Sequence, residues 1–85
     1  KRPFTVGFAA ETIDVERHGA EKLQRKRLDL LFANDANATL ASDNISATAL
    51  WPQGSLALGP ASKRRVAVQM LELLRRQYDL KHRQA

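Results

Sequence analysis

The 85-residue sequence has no cysteine, which excludes a disulfide framework, a thiolate nucleophile and a thiolate metal site. No apolar run approaches the ~20 residues that a membrane-spanning helix needs, and no signal-peptide succession of basic, apolar and small residues occurs. A soluble, cytoplasmic domain is therefore expected. Aromatic residues make up only 6% of the chain. There is no phosphate loop of the GxxxxGK type, no nucleophile–base arrangement and no paired-carboxylate motif. The two histidines, His18 and His82, lack metal-ligand spacing and read as surface residues.

At 44% hydrophobic, the chain suffices for one small domain, which buries a smaller share of its surface than a full-sized enzyme does. It starts at Lys1-Arg2-Pro3 and enters a strand-like run at once, so it reads as a piece of something longer. Fourteen Lys and Arg against nine Asp and Glu give a net charge of +5. That sign favours an anionic partner without choosing among nucleotide, nucleic acid and membrane surface.

Phe4 to Ala10 and Leu30 to Ala33 are short apolar runs, the pattern of strands buried on both faces. Between them "IDVERHGAEKLQRKRLD" has good helix formers, with Asp14 placed as an N-cap. Strand, crossover helix and strand follow, with the carboxyl ends of both strands at one sheet edge, where open α/β sheets bind ligands. Ala10, Glu11 and Thr12 belong on that edge, as do Asn34 and Asp35. A polar stretch, "ANATLASDN", leads to two further strands, "NISATALW" and "SLALG". They are joined through "PQG", where Pro52 takes the second position of a turn and Gly54 the last. Ser62 is placed to cap a final helix whose Val66, Met70, Leu73 and Leu74 recur at helical spacing, with Tyr78 continuing the stripe. Its end, "YDLKHRQA", turns polar and is expected to fray. The fold class is α/β: strand–helix–strand, then a β-hairpin and a last helix.

Lys22 and Lys26 stand four apart and share a helix face, where two ammonium groups make a compact site for phosphate oxygens. By spacing alone, "EKLQRKR" is also an ordinary solvated helix surface. Phe8, by strand membership, belongs to the core, although an aromatic near the edge can pack on a nucleobase. Asn34 and Asp35 can turn the chain, hold ribose hydroxyls or sit near a metal-bound phosphate. Lys63-Arg64-Arg65 oppose the positive end of the helix they open, an arrangement suited to an anion received there. Trp51 and Tyr78 read as packing anchors and Met70 as core.

"TVGFAAET", "AEKLQRKRLDLLFAND", "SDN" and "SKRRVAVQMLELL", in that order, resemble the carboxyl-terminal part of the phosphopantothenate–cysteine ligase family, the synthetase portion of a bacterial bifunctional coenzyme A biosynthesis flavoprotein. The resemblance runs from about Pro3 to about Arg83 and makes residues 1–85 part of that ligase domain. It implies a Rossmann-like fold, a homodimer, and CTP with magnesium as the activator of 4'-phosphopantothenate. Acyl-cytidylate and pyrophosphate form first; cysteine then attacks the acyl group and releases CMP. Flavin mononucleotide is implied only for a decarboxylase domain upstream of this segment. Carried over to matching positions, Phe8, Lys22 and Lys26 are nucleotide-binding residues, and Ala10, Glu11, Asn34, Asp35 and Lys63 are possible nucleotide or phosphate contacts. No protein nucleophile is needed, because cysteine brings its own amine. This sequence departs from the family pattern at Thr39-Leu40-Ala41, where a Gly-Phe pair is usual, at Ile45 and at Gly19. The family's upstream half is outside this stretch, so the piece alone is expected to be inactive. Two other classes remain beside this one: a small basic nucleic-acid-binding module, against which the scarcity of aromatics counts, and a structural dimerisation module built on the hairpin.

Overall fold

The computed structural model describes residues 3–35 and 44–84. Along the chain run β1 (Val6–Glu11), α1 (Val15–Arg25), β2 (Leu30–Asp35), β3 (Asn44–Trp51), β4 (Gly54–Ser62) and α2 (Lys63–Gln84). The strands form one mixed sheet in the order β1-β2-β3-β4. β1 and β2 are parallel, and β3 and β4 continue antiparallel. The expectation for Thr39-Leu40-Ala41 and the start of "SDN" falls outside the described residues.

Side chains on a strand alternate between faces, and the sheet uses both. On one face Leu30, Phe32, Ala47, Ala49 and Leu58 are sealed by Val66 and Leu73 of α2, with Met70, Trp51 and Leu74 around them. On the other, Leu31, Ala33 and Leu50 meet Leu23 of α1. β2 thus has both faces covered, as its unbroken apolar run "LLFA" predicts.

β1 departs from the same expectation. It is an outer strand, and Phe8 on it is 73% exposed. The reason is that α2 packs mainly on β4 and β3, at the far side of the sheet, leaving the face over β1 partly uncovered. Phe8 lies instead against the buried Phe32 ring, with centroids 5.6 Å apart.

The hairpin pairs Trp51 with Gly54 across Pro52-Gln53, as the turn residues predict. Further along, Ala47 faces Leu58 and Ile45 faces Ala61, so β4 holds one residue more than β3 over that interval. This bulge returns Ala61 to the same face as Leu58. Gly59 makes it possible: its φ is +78°, and a Cβ there would lie 2.5 Å from the Ile45 carbonyl oxygen. The Gly59 N–H donates to Gln69 Oε1 of α2 at 3.2 Å.

α2 starts directly after β4. The Arg65 N–H donates to Ser62 Oγ at 3.2 Å, the cap the sequence predicts. At its other end the helix does not fray where expected, but continues to Gln84. Lys81 reaches Asp29 Oδ1 at 2.8 Å, and the Thr5 N–H donates to Asp29 Oδ2 at 2.8 Å. The Tyr78 ring meets Phe4 edge-on at 5.5 Å and stacks on His82 at 4.0 Å. A long-range ion pair and an aromatic contact therefore hold a stretch whose polarity alone suggests a loose end.

Candidate functional site

The register of β1 on β2, from Val6 opposite Leu30 to Glu11 opposite Asp35, brings both strands to one edge together. β3 begins at this edge with Asn44, and β4 ends there with Ser62 opposite Asn44. Lys63 follows as the first residue of α2. Ala10, Glu11, Asn34 and Asp35 are thus gathered along the carboxyl edge of the parallel pair, as the sequence predicts, and the end of β4 brings Lys63 to the same end of the sheet. Asn34 and Asp35 are half-buried and already engaged by other groups of the protein.

α1 begins at the same edge. Asp14 occupies the N-cap position, but with φ 47° its side chain makes no capping bond. Its carboxylate pairs with Arg17 at 3.2 Å. Because the helix starts at Val15, Lys22 lies about 10 Å along it from the edge, yet its side chain runs back far enough to hydrogen-bond Glu11 Oε2. His18 Nδ1 stands 3.6 Å from the other oxygen, Glu11 Oε1. His18 and Lys22 are four apart on one helix face, so α1 presents two cationic or potentially cationic groups to one strand-end carboxylate.

Glu11 is only 9% exposed, the one buried charged residue among the described residues. The hydrogen bond from Lys22 holds its carboxyl below the ordinary value of 4.5; burial works the other way, and the charges of Lys22 and His18 add to the lowering. Glu11 is consequently ionised at neutral pH, and the pair with Lys22 is a true ion pair.

The three residues assigned to the nucleotide are not all brought together. Lys22 and Lys26 follow one another along α1, where Lys26 is the exposed C-cap. Phe8 lies on the opposite face of the sheet, over Phe32 and on the α2 side. The cause is the period of two in β1: Phe8 and Glu11 are three apart, and Glu11 points toward α1. His18, which by sequence reads as a surface residue, is half-buried and stands beside Glu11; its spacing of four from Lys22 was the available signal.

A hollow of about 250 Å³ opens at this edge beside Val15, lined by Asp35, Thr48, Ala57 and Pro60 among others. That is below the ~300–1,000 Å³ of a typical small-molecule site. A larger cleft of about 410 Å³ lies at the other end of the sheet, between Phe4, Asp29, Trp51 and Lys81. None of the expected site residues lines it. Among the described residues no three carboxylate or imidazole groups cluster to hold a metal, and no helix among them is long and apolar enough to cross a membrane.

Residues 1–78 match the family model described as the DNA/pantothenate metabolism flavoprotein C-terminal domain. The chain belongs to this family. It is 45% identical over 78 residues to the coenzyme A biosynthesis bifunctional protein CoaBC of Vibrio parahaemolyticus, an alignment covering 88% of this chain and 20% of that protein. To the protein of the same name from Escherichia coli it is 38% identical over 85 residues, covering 96% and 21%. Among solved structures, the crystal structure of the C-terminal domain of coenzyme A biosynthesis bifunctional protein CoaBC superposes with a TM-score of 0.71 at 26% identity. The superposition covers 96% of this chain and 37% of that one. The α/β architecture is therefore that of the family domain, while the chain spans about a fifth of the length of these relatives.

Proposed function

We propose that the chain is the nucleotide-binding part of a ligase that joins 4'-phosphopantothenate to cysteine through an acyl-cytidylate, with CTP as the activating nucleotide. The observation that carries this reading is the Lys22 ammonium held against Glu11 at the carboxyl edge of β1, the edge where open α/β sheets take ligands, in a chain whose relatives are named for coenzyme A biosynthesis.

In this reading the substrate carboxylate attacks the α-phosphorus of CTP and pyrophosphate leaves. The cysteine amine then attacks the acyl carbon, and CMP leaves. Lys22 and Lys26 neutralise charge on the phosphates as it builds toward the leaving pyrophosphate, and the edge holds the reacting groups in line. Since Phe8 is on the far face of β1, a nucleotide that touches all three residues straddles the strand end. Its base lies toward Phe8 and its phosphates run along α1 from Lys22 to Lys26, about 6 Å farther on.

Magnesium enters on the triphosphate. The described donor set offers no protein cage for it, and magnesium in nucleotide sites is usually held by phosphates, water and one or two carboxylates. No residue here is assigned to flavin mononucleotide, which belongs to the decarboxylase portion of such a bifunctional protein. Catalysis, the homodimer and a cytoplasmic setting are assigned to the longer protein; this segment contributes part of the nucleotide wall.

The test is a titration of the isotopically labelled chain with magnesium-CTP, with magnesium-ATP and a short DNA duplex as comparisons. Saturable amide shifts centred on Phe8, Ala10, Lys22 and Lys26, strongest with CTP, are expected. Shifts strongest with DNA and collapsing as salt rises would replace this reading with nucleic-acid binding. No saturable response to CTP would overturn nucleotide binding by this chain alone.

A further inference from the structure

A carboxylate beside a phosphate site is an unexpected choice, because it repels the ligand. Glu11 is nevertheless buried at the end of β1, and the chain places its acceptors against His18 and Lys22 of the neighbouring helix. An ionised carboxylate this far from water is costly unless it is paired, and an apolar residue in its place generally stabilises a fold at least as well. What the pair supplies is position. Lysine has a flexible four-carbon stem, with much rotamer freedom to lose on binding. Lys22 loses it in advance, with its ammonium fixed to Glu11. One turn later Lys26 is exposed at the helix end and makes no ion pair among the described residues. An ammonium has three donors, so one bond to Glu11 leaves two for phosphate oxygens.

We propose that Glu11 is a positioning residue rather than a nucleotide ligand: it holds the Lys22 ammonium at the carboxyl edge of β1, supported by His18 on its second oxygen, so that Lys22 meets the phosphates of a nucleoside triphosphate in a fixed place. Lys26 then supplies adaptable charge. The proposal rests on the nucleotide reading for its ligand, whereas the ordering of Lys22 stands on the geometry alone.

The experiment compares the 85-residue chain with Glu11→Gln and Glu11→Ala, each first checked for an unchanged amide spectrum. In the free protein, side-chain relaxation should show Lys22 more ordered than Lys26 in the parent and in Glu11→Gln, which keeps a hydrogen-bond acceptor. In Glu11→Ala, Lys22 should fall to the mobility of Lys26. Equal mobility of the two lysines in the parent, or an unchanged Lys22 in Glu11→Ala, overturns the positioning role whatever binds.

In a magnesium-CTP titration, Glu11→Gln should bind at least as tightly as the parent, since position is kept and repulsion removed. Glu11→Ala should bind about three- to tenfold more weakly, the cost of immobilising one lysine side chain anew. If both variants bind more tightly to the same extent, Glu11 is only a counter-charge. If both weaken alike, it is a ligand of phosphate-borne metal. Either result overturns the proposal. A parent chain with ordered Lys22 that does not bind CTP upholds the positioning and overturns the nucleotide as its purpose.

Discussion

On the α2 face of the sheet, Leu30, Phe32, Ala49 and Leu58 are closed over by a 22-residue helix whose Val66 is completely buried and whose far end is tied to Asp29. On the α1 face, an 11-residue helix buries only Gly19 and Leu23 and spends its edge-facing turns on His18 and Lys22. Gly19 allows the close approach: a Cβ there would come 2.5 Å from Leu50 Cδ1, so Leu50 fills the room that a methyl group would take. One face thus carries most of the apolar burial, and the other carries charge held near the sheet edge. A small domain with few buried residues to spare keeps these tasks apart, so that the charged edge on the α1 face rests on a fold held mainly by packing on the other.

The sharpest way to break this comparison is to empty each face in turn. Phe32→Ala should cost about 3–5 kcal/mol, a large part of the stability of a domain this size. Leu23→Ala on the α1 face should cost about 2–3 kcal/mol, the lower part of the range for buried leucines. Urea unfolding with both variants decides it, and equal losses would mean that the α1 face is as much a core as the other.

A smaller effect tests the tie at the end of α2. Lys81→Met removes the partner of Asp29, whose side chain is 11% exposed while that of Lys81 is 35% exposed. The loss should be about 1 kcal/mol, since the pair is partly solvated and Thr5 still donates to Asp29. Amide exchange should rise over residues 78–84 and remain unchanged in α1; a rise in both helices would show that the two faces are not separable.

The smallest effect concerns acid. Because the folded-state pKa of Glu11 is lowered, its contribution is present above the unfolded value and is lost as pH falls through the folded one. Glu11→Gln should therefore differ most from the parent near neutrality and converge with it in acid. Thermal unfolding between pH 7 and pH 3 measures this, and a gap that widens toward acid would reverse the sign of the linkage.

Much of this arrangement is legible in the residues, and the illegible parts have physical causes. Ser62, the turn at Pro52-Gln53 and the stripe from Val66 to Leu74 act locally, so their sequence spacing suffices. The gathering of Ala10, Glu11, Asn34 and Asp35 follows from one topological rule about parallel strands. Phe8 reads as core because an apolar run does not reveal that its strand lies at the sheet border with the covering helix elsewhere. Alternation along that strand does disclose that Phe8 and Glu11 face opposite ways, and hence that the aromatic and the lysines flank the border rather than share a wall. The tie from Thr5 through Asp29 to Lys81 joins residues 24 and 52 positions apart, and no local pattern announces it.

The junction of β4 with α2 has no intervening residue: Ser62 ends the strand and Lys63 begins the helix. Strand and helix are thus geared together without slack. Each residue of an α-helix advances its azimuth by about 100°, so deleting or inserting one position between the Gly59 bulge and Val66 would swing Val66, Met70 and Leu73 away from the sheet as a set. Length variation at this joint acts as a rotation of the whole helix.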